Sequence, residues 1–528
     1  MKLLATILFY LSFTVCFSQT NTEILDYNNV SGLLLDEGLL FNDPISGQAA
    51  YEVPKGGGVN AIYAASFWFA AMQPGGMLKT ACAKYNSGRD FFSGPISSTG
   101  MYTDPAYIAE YSSSIWTVTK QEVTNHIQNY LQVGYITPSS ILNWPGNGIA
   151  TLGVVENLAP FVDVNGDNIY EPAAGDHPNI RGDKASYIII NDLAAVHTES
   201  NGDPLGIEVH VMAYQYAASN YIDSTTFLTA RVFNRGNFSF TNFKMGMYID
   251  ADLGSYNDDY YGCDSTKNLI YTYNGGNFDG TINGYGTNPP CIGFVSLNHP
   301  MKVAGFYGGG ANFPHTDPMT ATHYWNYLNG RWADGSQWFY GGMGYTGSIG
   351  ATTNPTSYIM SGNPYTGVGW SEITNSNTPG DRRMFMALDS INLNPNQEEC
   401  FDFAIIYNRQ GNNLENVQGV IDIADSVRQF FEAQLEYNCN QVTLGINDNL
   451  MSQFSVFPNP STGKITVVPS ENLKQFKVEI TDLFGREVYS KDFQGTTLIE
   501  INLEEQAGMY LLSLISDGKK STSYVVIE

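Results

Sequence analysis

The stretch Lys477-Val478-Glu479-Ile480-Thr481 alternates polar and apolar side chains without a break. Successive side chains of a β-strand point to opposite faces, so Val478 and Ile480 would face a core while Lys477, Glu479 and Thr481 face water. Working outward from it, the same pattern predicts strands at 454–457, 464–468, 476–483, 486–490, 497–503, 509–515 and 522–527. The breaks between them carry turn formers: Pro458-Asn459-Pro460, Phe484-Gly485-Arg486 and Ser516-Asp517-Gly518. About seven strands in so short a span predict a small immunoglobulin-like β-sandwich over residues 453–528. The polar, aperiodic stretch 441–452 before it reads as a linker.

The rest of the chain leans the same way. It has 528 residues, enough for two to four domains, and its 43% hydrophobic content suits a packed core. Only 14% of residues are charged, against 53 Gly, 34 Tyr and 29 Phe. Few charges with many aromatics and turn formers favour sheets joined by long loops, so the chain reads as mainly β. Residues 19–440 are predicted to form a multi-layer β-sandwich body with a few helices, with a subdivision near residue 160. Within it, strands are expected at 187–190, 208–214, 225–234 and 243–249. One helix should open at the capping box Thr119-Lys120-Gln121-Glu122, with Val123, Ile127 and Leu131 on its inner face. A second, over 415–437, has Val417, Ile421, Ala424, Val427, Phe431 and Leu435 on one face, suited to lie on a sheet.

Fifty-one acidic residues against 25 basic ones give a formal charge of -26. Such a field repels phosphate backbones and argues against a nucleic-acid partner. At the front, Met1-Lys2 followed by the apolar run 3–15 and Ser18 reads as a secretory signal peptide over 1–18, cleaved before Gln19. Val15 before Cys16 argues against a lipid-modified cysteine. No stretch is long and apolar enough for a transmembrane helix. Cleavage leaves Cys82, Cys263, Cys291, Cys400 and Cys439, an odd number. In an oxidising compartment the pairs Cys263–Cys291 and Cys400–Cys439 are expected.

Two acidic segments carry the chemistry. In Asp163-Val164-Asn165-Gly166-Asp167-Asn168-Ile169-Tyr170-Glu171, oxygen side chains at alternate positions can converge on one cation, with Gly166 allowing the turn. Ile169 would add its carbonyl and Glu171 a carboxylate. Ala174 stands where an EF-hand has its bidentate Glu, and Asp176 is the expected substitute. Hard oxygen donors favour calcium, as a structural ion. The second group, Asp250, Asp252, Asp258 and Asp259 with Asp264 nearby, crowds like charges that a second calcium would relieve. Paired carboxylates are also the apparatus of glycoside hydrolysis. No HExxH, GxSxG or P-loop signature occurs, and 341–347 reads as a glycine-rich surface loop. Trp325, Trp332, Trp338 and Trp370 could stack on sugars if exposed.

Three boxes near the C-terminus carry a resemblance: Val456-Phe457-Pro458-Asn459-Pro460 with Gly463, then Ile480-Thr481-Asp482-Leu483-Phe484-Gly485-Arg486, then Gly508-Met509-Tyr510-Leu511-Leu512. They resemble the type A sorting domain of the type IX secretion system of Bacteroidota, departing at Tyr524, where the family often has Lys. Pro458, Asn459, Pro460, Gly463, Asp482, Gly485, Arg486, Gly508 and Tyr510 are then the sorting-signal positions. The resemblance implies engagement of the type IX machinery, removal of the domain, and release or attachment at the cell surface. Stretches such as Tyr51-Glu52-Val53-Pro54-Lys55-Gly56 and Asp381-Arg382-Arg383 also resemble large secreted Bacteroidota surface proteins that end in this domain, and bring no catalytic residues with them. The expected function is thus a non-catalytic, calcium-stabilised adhesion or matrix- or glycan-binding protein. A secreted glycan-active hydrolase and a structural surface-layer component are the alternatives.

Overall fold

The longer strands of the body are β1 (Ala64–Met72), β2 (Lys184–Asn191), β3 (Ile207–Gln215), β4 (Thr226–Asn234), β5 (Phe240–Asp250), β6 (Asp259–Asp264), β7 (Leu269–Asn274), β8 (Cys291–Ser296), β9 (Met301–Gly308), β10 (Arg382–Leu388) and β11 (Glu398–Asn408). The computed structural model describes residues 21–434, apart from Asn86, Ser113, Thr281 and Ile282, and most of 454–527. The signal-peptide stretch, Leu435, Cys439 and the linker lie outside the described residues, as do Pro460 and Gly485. The chain divides into two units, Met1–Asn440 and Gln441–Glu528.

In the body, one antiparallel sheet runs β9-β10-β5-β1 and continues into short strands from the N-terminal 60 residues. A second runs β6-β7-β8-β11-β4-β3-β2. The two inner faces share one core, in which Phe67 and Met247 of the first sheet join Val209, Val211, Leu228 and Ala230 of the second. Phe67 and Phe403 bring the two sheets together at 6.0 Å between ring centroids. The far face of the second sheet forms another core with the helix Asn413–Ala433, through Val417, Val420, Ala424 and Val427 against Tyr271, Tyr273 and Ile406. Every residue of β3 is buried, the pattern of a strand covered on both faces.

The outer face of the first sheet lies beneath the Gly- and Tyr-rich segment that follows β9. Trp68 stacks on Tyr248 at 5.0 Å and meets Tyr324 of the helix Ala321–Leu328 edge-on at 4.8 Å. Gly305 lets Trp338 lie flat on the sheet, since a Cβ there would stand 2.5 Å from the indole.

The four strands expected in the body are present, three within a longer strand and the fourth, expected over 225–234, as Thr226–Asn234. The capping box Thr119/Glu122 also forms, and opens the helix Lys120–Asn129. Its inner face differs from the expectation. Val123 and His126 are buried, whereas Ile127 is 47% exposed and Leu131, beyond the helix end, 79%. The helix stops before a second apolar turn can reach the core.

The expected Cys263–Cys291 bridge does not form. Both are free and buried, as is Cys82. Cys263 sits on β6 and Cys291 on β8, with β7 between them. Neighbouring strands lie about 4.8 Å apart, so two strand spacings exceed the roughly 7 Å Cα limit for a disulfide. Cys400 is disulfide-bonded.

The C-terminal unit pairs two small sheets. Strands β12 (Phe454–Phe457), β13 (Lys464–Pro469), β14 (Gln475–Asp482), β15 (Glu487–Gln494), β16 (Ile499–Asn502), β17 (Gly508–Ser516) and β18 (Lys519–Ile527) form β12-β13-β16 and β15-β14-β17-β18. Val478 and Ile480 are fully buried with Ile465, Val467, Leu512 and Leu514, as their alternation requires.

Buried thiols give a direct check on the body. Alkylation of the native chain should leave Cys82, Cys263 and Cys291 unmodified. Denaturant alone should expose all three, while Cys400 reacts only after reduction, read by peptide mass spectrometry.

Candidate metal centre

The loop 163–176 hangs from a two-residue ladder in which Phe161 pairs Pro178 and Val162 pairs His177. Its acidic side chains close successive turns on the backbone. Gly166 N and Asn168 N donate to the two oxygens of Asp163, both at 2.7 Å. Asp167 N donates to Asn165 Oδ1 at 3.2 Å, and Ile169 N to Asp167 Oδ1 at 2.8 Å. Gly166 and Asn168 take left-handed backbone angles, φ 78° and 63°, which glycine and asparagine tolerate. Asp176 is fully buried and clamps both limbs, accepting from Val164 N and Glu171 N at 2.8 Å each. Glu171 and the Ile169 side chain are exposed. The loop packs beside the helix Lys120–Asn129, with Tyr130 against Gly175.

The second acidic group divides. Asp250, the last residue of β5, and Asp252 just beyond it meet Asp381, which precedes β10. Among the described residues this is the one trio of acidic, His or Cys side chains whose ligand atoms all lie within 4.8 Å of one another. Asp258 and Asp259 gather with Asp279, and Asp259 also feels Asp252. Asp259 Oδ2 accepts from Leu253 N at 2.9 Å, and Asp279 Oδ2 from Tyr285 N at 2.6 Å. Asp381 and Asp279 escaped the sequence reading because they lie far along the chain. Asp381 is delivered by the pairing of β5 with β10, which sets Asp250 opposite Arg383.

Arg383 is the cation of this corner. Its Nη1 donates to Asp317 at 2.6 Å, and its Nε and Nη2 stand 3.4 Å from Asp250 and Asp381. The Tyr85 hydroxyl donates to Asp250 Oδ2. Burial, and then the neighbouring carboxylates, hold Asp250 well above the ordinary carboxylate range. Burial and Asp381 push Asp252 up to about 7.

Of the four tryptophans that could have stacked on sugars, Trp332, Trp338 and Trp370 are buried, and Trp325 is half-buried against the core. Trp116 does line a surface cavity of about 470 Å³ with Glu23, Glu122 and Lys184. Glu122 there caps its helix, accepting from Thr119 N at 2.8 Å and from Ser140 Oγ at 2.8 Å. Those bonds outweigh its burial and leave it below the usual carboxylate range, the wrong direction for a catalytic acid.

In the C-terminal unit the described sorting-signal positions fasten turns. Asn459 accepts from Val526 N at 2.8 Å, tying the Pro458-Asn459 turn to β18. Gly463, φ 104°, donates to Ser461 Oγ, and a Cβ there would stand 2.7 Å from the Leu503 carbonyl. Asp482 closes the β14–β15 hairpin, accepting from Arg486 N at 2.9 Å and Arg486 Nε at 3.0 Å. Gly508 opens β17, and the Tyr510 hydroxyl donates to Gln506 O at 2.7 Å. Residues 455–528 match the family model of the secretion system C-terminal sorting domain. The C-terminal unit is a type IX secretion sorting domain. This sorting domain marks the chain as a type IX substrate, exported to the cell surface or medium.

No curated protein matches the chain. Among solved structures, a DUF3244 family protein with an immunoglobulin-like β-sandwich from Bacteroides vulgatus matches at 22% identity and TM-score 0.13, over 14% of this chain and 84% of its own. A polysaccharide lyase matches at 10% identity and TM-score 0.18, over 61% of this chain and 34% of its own. A biofilm-associated protein BSP domain matches at 9% identity and TM-score 0.14, over 96% and 80%. At these scores none of the three bears on what the body does. Among the described residues no helix is long and apolar enough to cross a membrane.

The buried clamp makes a testable claim. Asp176→Ala strips a buried acceptor from two backbone donors and should cost roughly 2–3 kcal/mol in urea denaturation. Glu171→Ala, at an exposed position, should change stability by less than about 0.5 kcal/mol.

Proposed function

We propose that the exported body works by binding, as a calcium-stabilised adhesion or matrix-binding protein at the cell surface. The observation that carries this reading is the segment 127–136. It holds Ile127, Leu131, Val133 and Ile136 in solvent, with Val133 and Ile136 at 107% and 85% exposure. Apolar side chains this exposed, gathered into one contiguous patch, would serve as an interaction surface. The segment is braced at its base by the loop 163–176, through Tyr130 against Gly175 and the Tyr170 hydroxyl on Ile141 O. Calcium bound there would have to draw Asp163 and Asp167 away from the turn-closing bonds they now make and bring them together with Glu171, joined by Asn165 and the Ile169 carbonyl with Asp176 as the clamp behind them, and would stiffen that base. Apolar contacts suit an extracellular protein or matrix partner better than a glycan.

Delivery would follow removal of residues 1–18, with the sorting domain cut off within 441–452. The mature species recovered from medium or cell surface should therefore begin at Gln19 and end before Phe454, read by intact mass. A chain lacking 453–528 should stay inside the cell envelope.

The binding reading is tested with the purified mature protein on immobilised matrix proteins and glycan arrays in calcium. Leu131→Asp combined with Ile136→Asp should reduce adhesion at least about tenfold without lowering the melting temperature. The rival is a glycan hydrolase. Turnover of a polysaccharide by the purified mature protein, with no adhesion to any coat, would replace binding by hydrolysis.

A further inference from the structure

We propose that Asp250, Asp252 and Asp381 bind a divalent cation, calcium by their chemistry, at the corner where β5 and β10 end. The site extends the calcium-stabilised reading above but uses none of the residues of the loop 163–176.

Three facts carry it. First, the ligand atoms of the three carboxylates lie within 4.8 Å of one another, the spread that one ion bridges. Second, Asp250 is 1% exposed, and its Oδ1 has no hydrogen-bond partner although Tyr85 and Arg383 engage Oδ2. Asp381 Oδ1 is buried and unpartnered in the same way. A buried carboxylate oxygen beside other carboxylates is destabilising unless something positive or protonated meets it. Third, the charge in the corner does not balance. Asp250, Asp252, Asp317 and Asp381 converge on the guanidinium of Arg383; Arg382 also acts on Asp381 but is paired with Glu372 at 2.9 Å, and Lys84 reaches Asp317, at 4.0 Å, and Glu199, at 3.8 Å.

The surroundings are shaped to keep Asp381 in place. A Cβ on Gly309 would stand 1.6 Å from Asp381 Oδ2, so a larger residue there would push that carboxylate out of its present position. Asp252 takes a left-handed backbone angle, φ 40°, within the turn that leaves Asp250. All three donors are hard oxygens with no nitrogen or sulfur among them, which favours calcium or magnesium over zinc or copper. The crowded, partly buried setting favours the larger ion, which accepts irregular geometry, whereas magnesium demands a near-ideal octahedron and holds its waters. The competing arrangement is a proton shared between Asp250 and Asp252, with no metal.

Terbium replaces calcium in oxygen sites and luminesces when excited through a nearby tyrosine, here Tyr85. The full mature chain, stripped with chelator, is titrated with terbium and separately with calcium by calorimetry. Four proteins are compared: the wild type, Asp252→Asn, Asp381→Asn and the double variant Asp163→Ala/Asp167→Ala. The asparagines keep shape and remove one charge each, and circular dichroism melts verify folding. The expected result is tyrosine-sensitised binding that weakens on the order of tenfold or more in Asp252→Asn and Asp381→Asn and persists in the loop variant. Binding lost in the loop variant and unchanged in both asparagine variants overturns the site while sustaining the loop. No binding in the loop variant at any calcium concentration, with a melt that rises as pH falls, assigns the corner to the shared proton and overturns the proposal. Should one asparagine variant fail to fold, the other and the stoichiometry of the loop variant decide.

Discussion

A sheet covered on both faces deprives its polar side chains of water, and the second sheet of the body is such a sheet. Many of its polar side chains are therefore tied together across the molecule. Arg181 Nη1 donates to Asp402 Oδ1 at 2.9 Å and to Tyr214 and Thr229, and Asp402 also accepts from Asn298. Glu208 on β3 accepts from His210, Arg235 and the Ile96 backbone. Burial pushes this carboxyl up, but His210 and Arg235 outweigh it and bring it down to about 2. Apart from the Glu208–His210 contact within β3, each pairing fixes one strand against a segment distant in sequence, and the positions of the loops follow from that rigid layer.

The acidic clusters sit where the chain leaves this order. Residues 251–258 cross from β5 of the first sheet to β6 of the second. A crossing segment cannot satisfy its groups by sheet pairing, so its aspartates cap the backbone, as Asp259 does for Leu253 N, or collect opposite Arg383. The loop 163–176 is handled differently, because its carboxylates find backbone donors within the loop itself. The sorting domain uses side chains in this second manner. Asn459, Gly463 and Asp482 each secure a turn, and its core is built from alternating strands alone.

Much of this was legible in the chain. The alternation around Val478 and Ile480 gave the C-terminal sandwich, the capping box at Thr119 gave a helix start, and the apolar face from Val417 to Val427 gave a helix packed on a sheet. These are local signals, set by a period of two or 3.6 residues and by hydrogen bonds a few positions long. Leu131 misled because periodicity does not say where a helix stops. Cys263 and Cys291 misled because proximity along the chain does not reveal the strand between them.

What the sequence determined by itself, then, is the export domain and the mainly β class, both of which need only neighbours along the chain. Tertiary structure alone decided that Asp250 and Asp252 meet Asp381 rather than Asp258, and that three tryptophans are core. The physical reason is register. A carboxylate at residue 381 reaches one at 250 only because β10 pairs antiparallel with β5, and that pairing is fixed by burial of whole sheet faces rather than by any residue near the site.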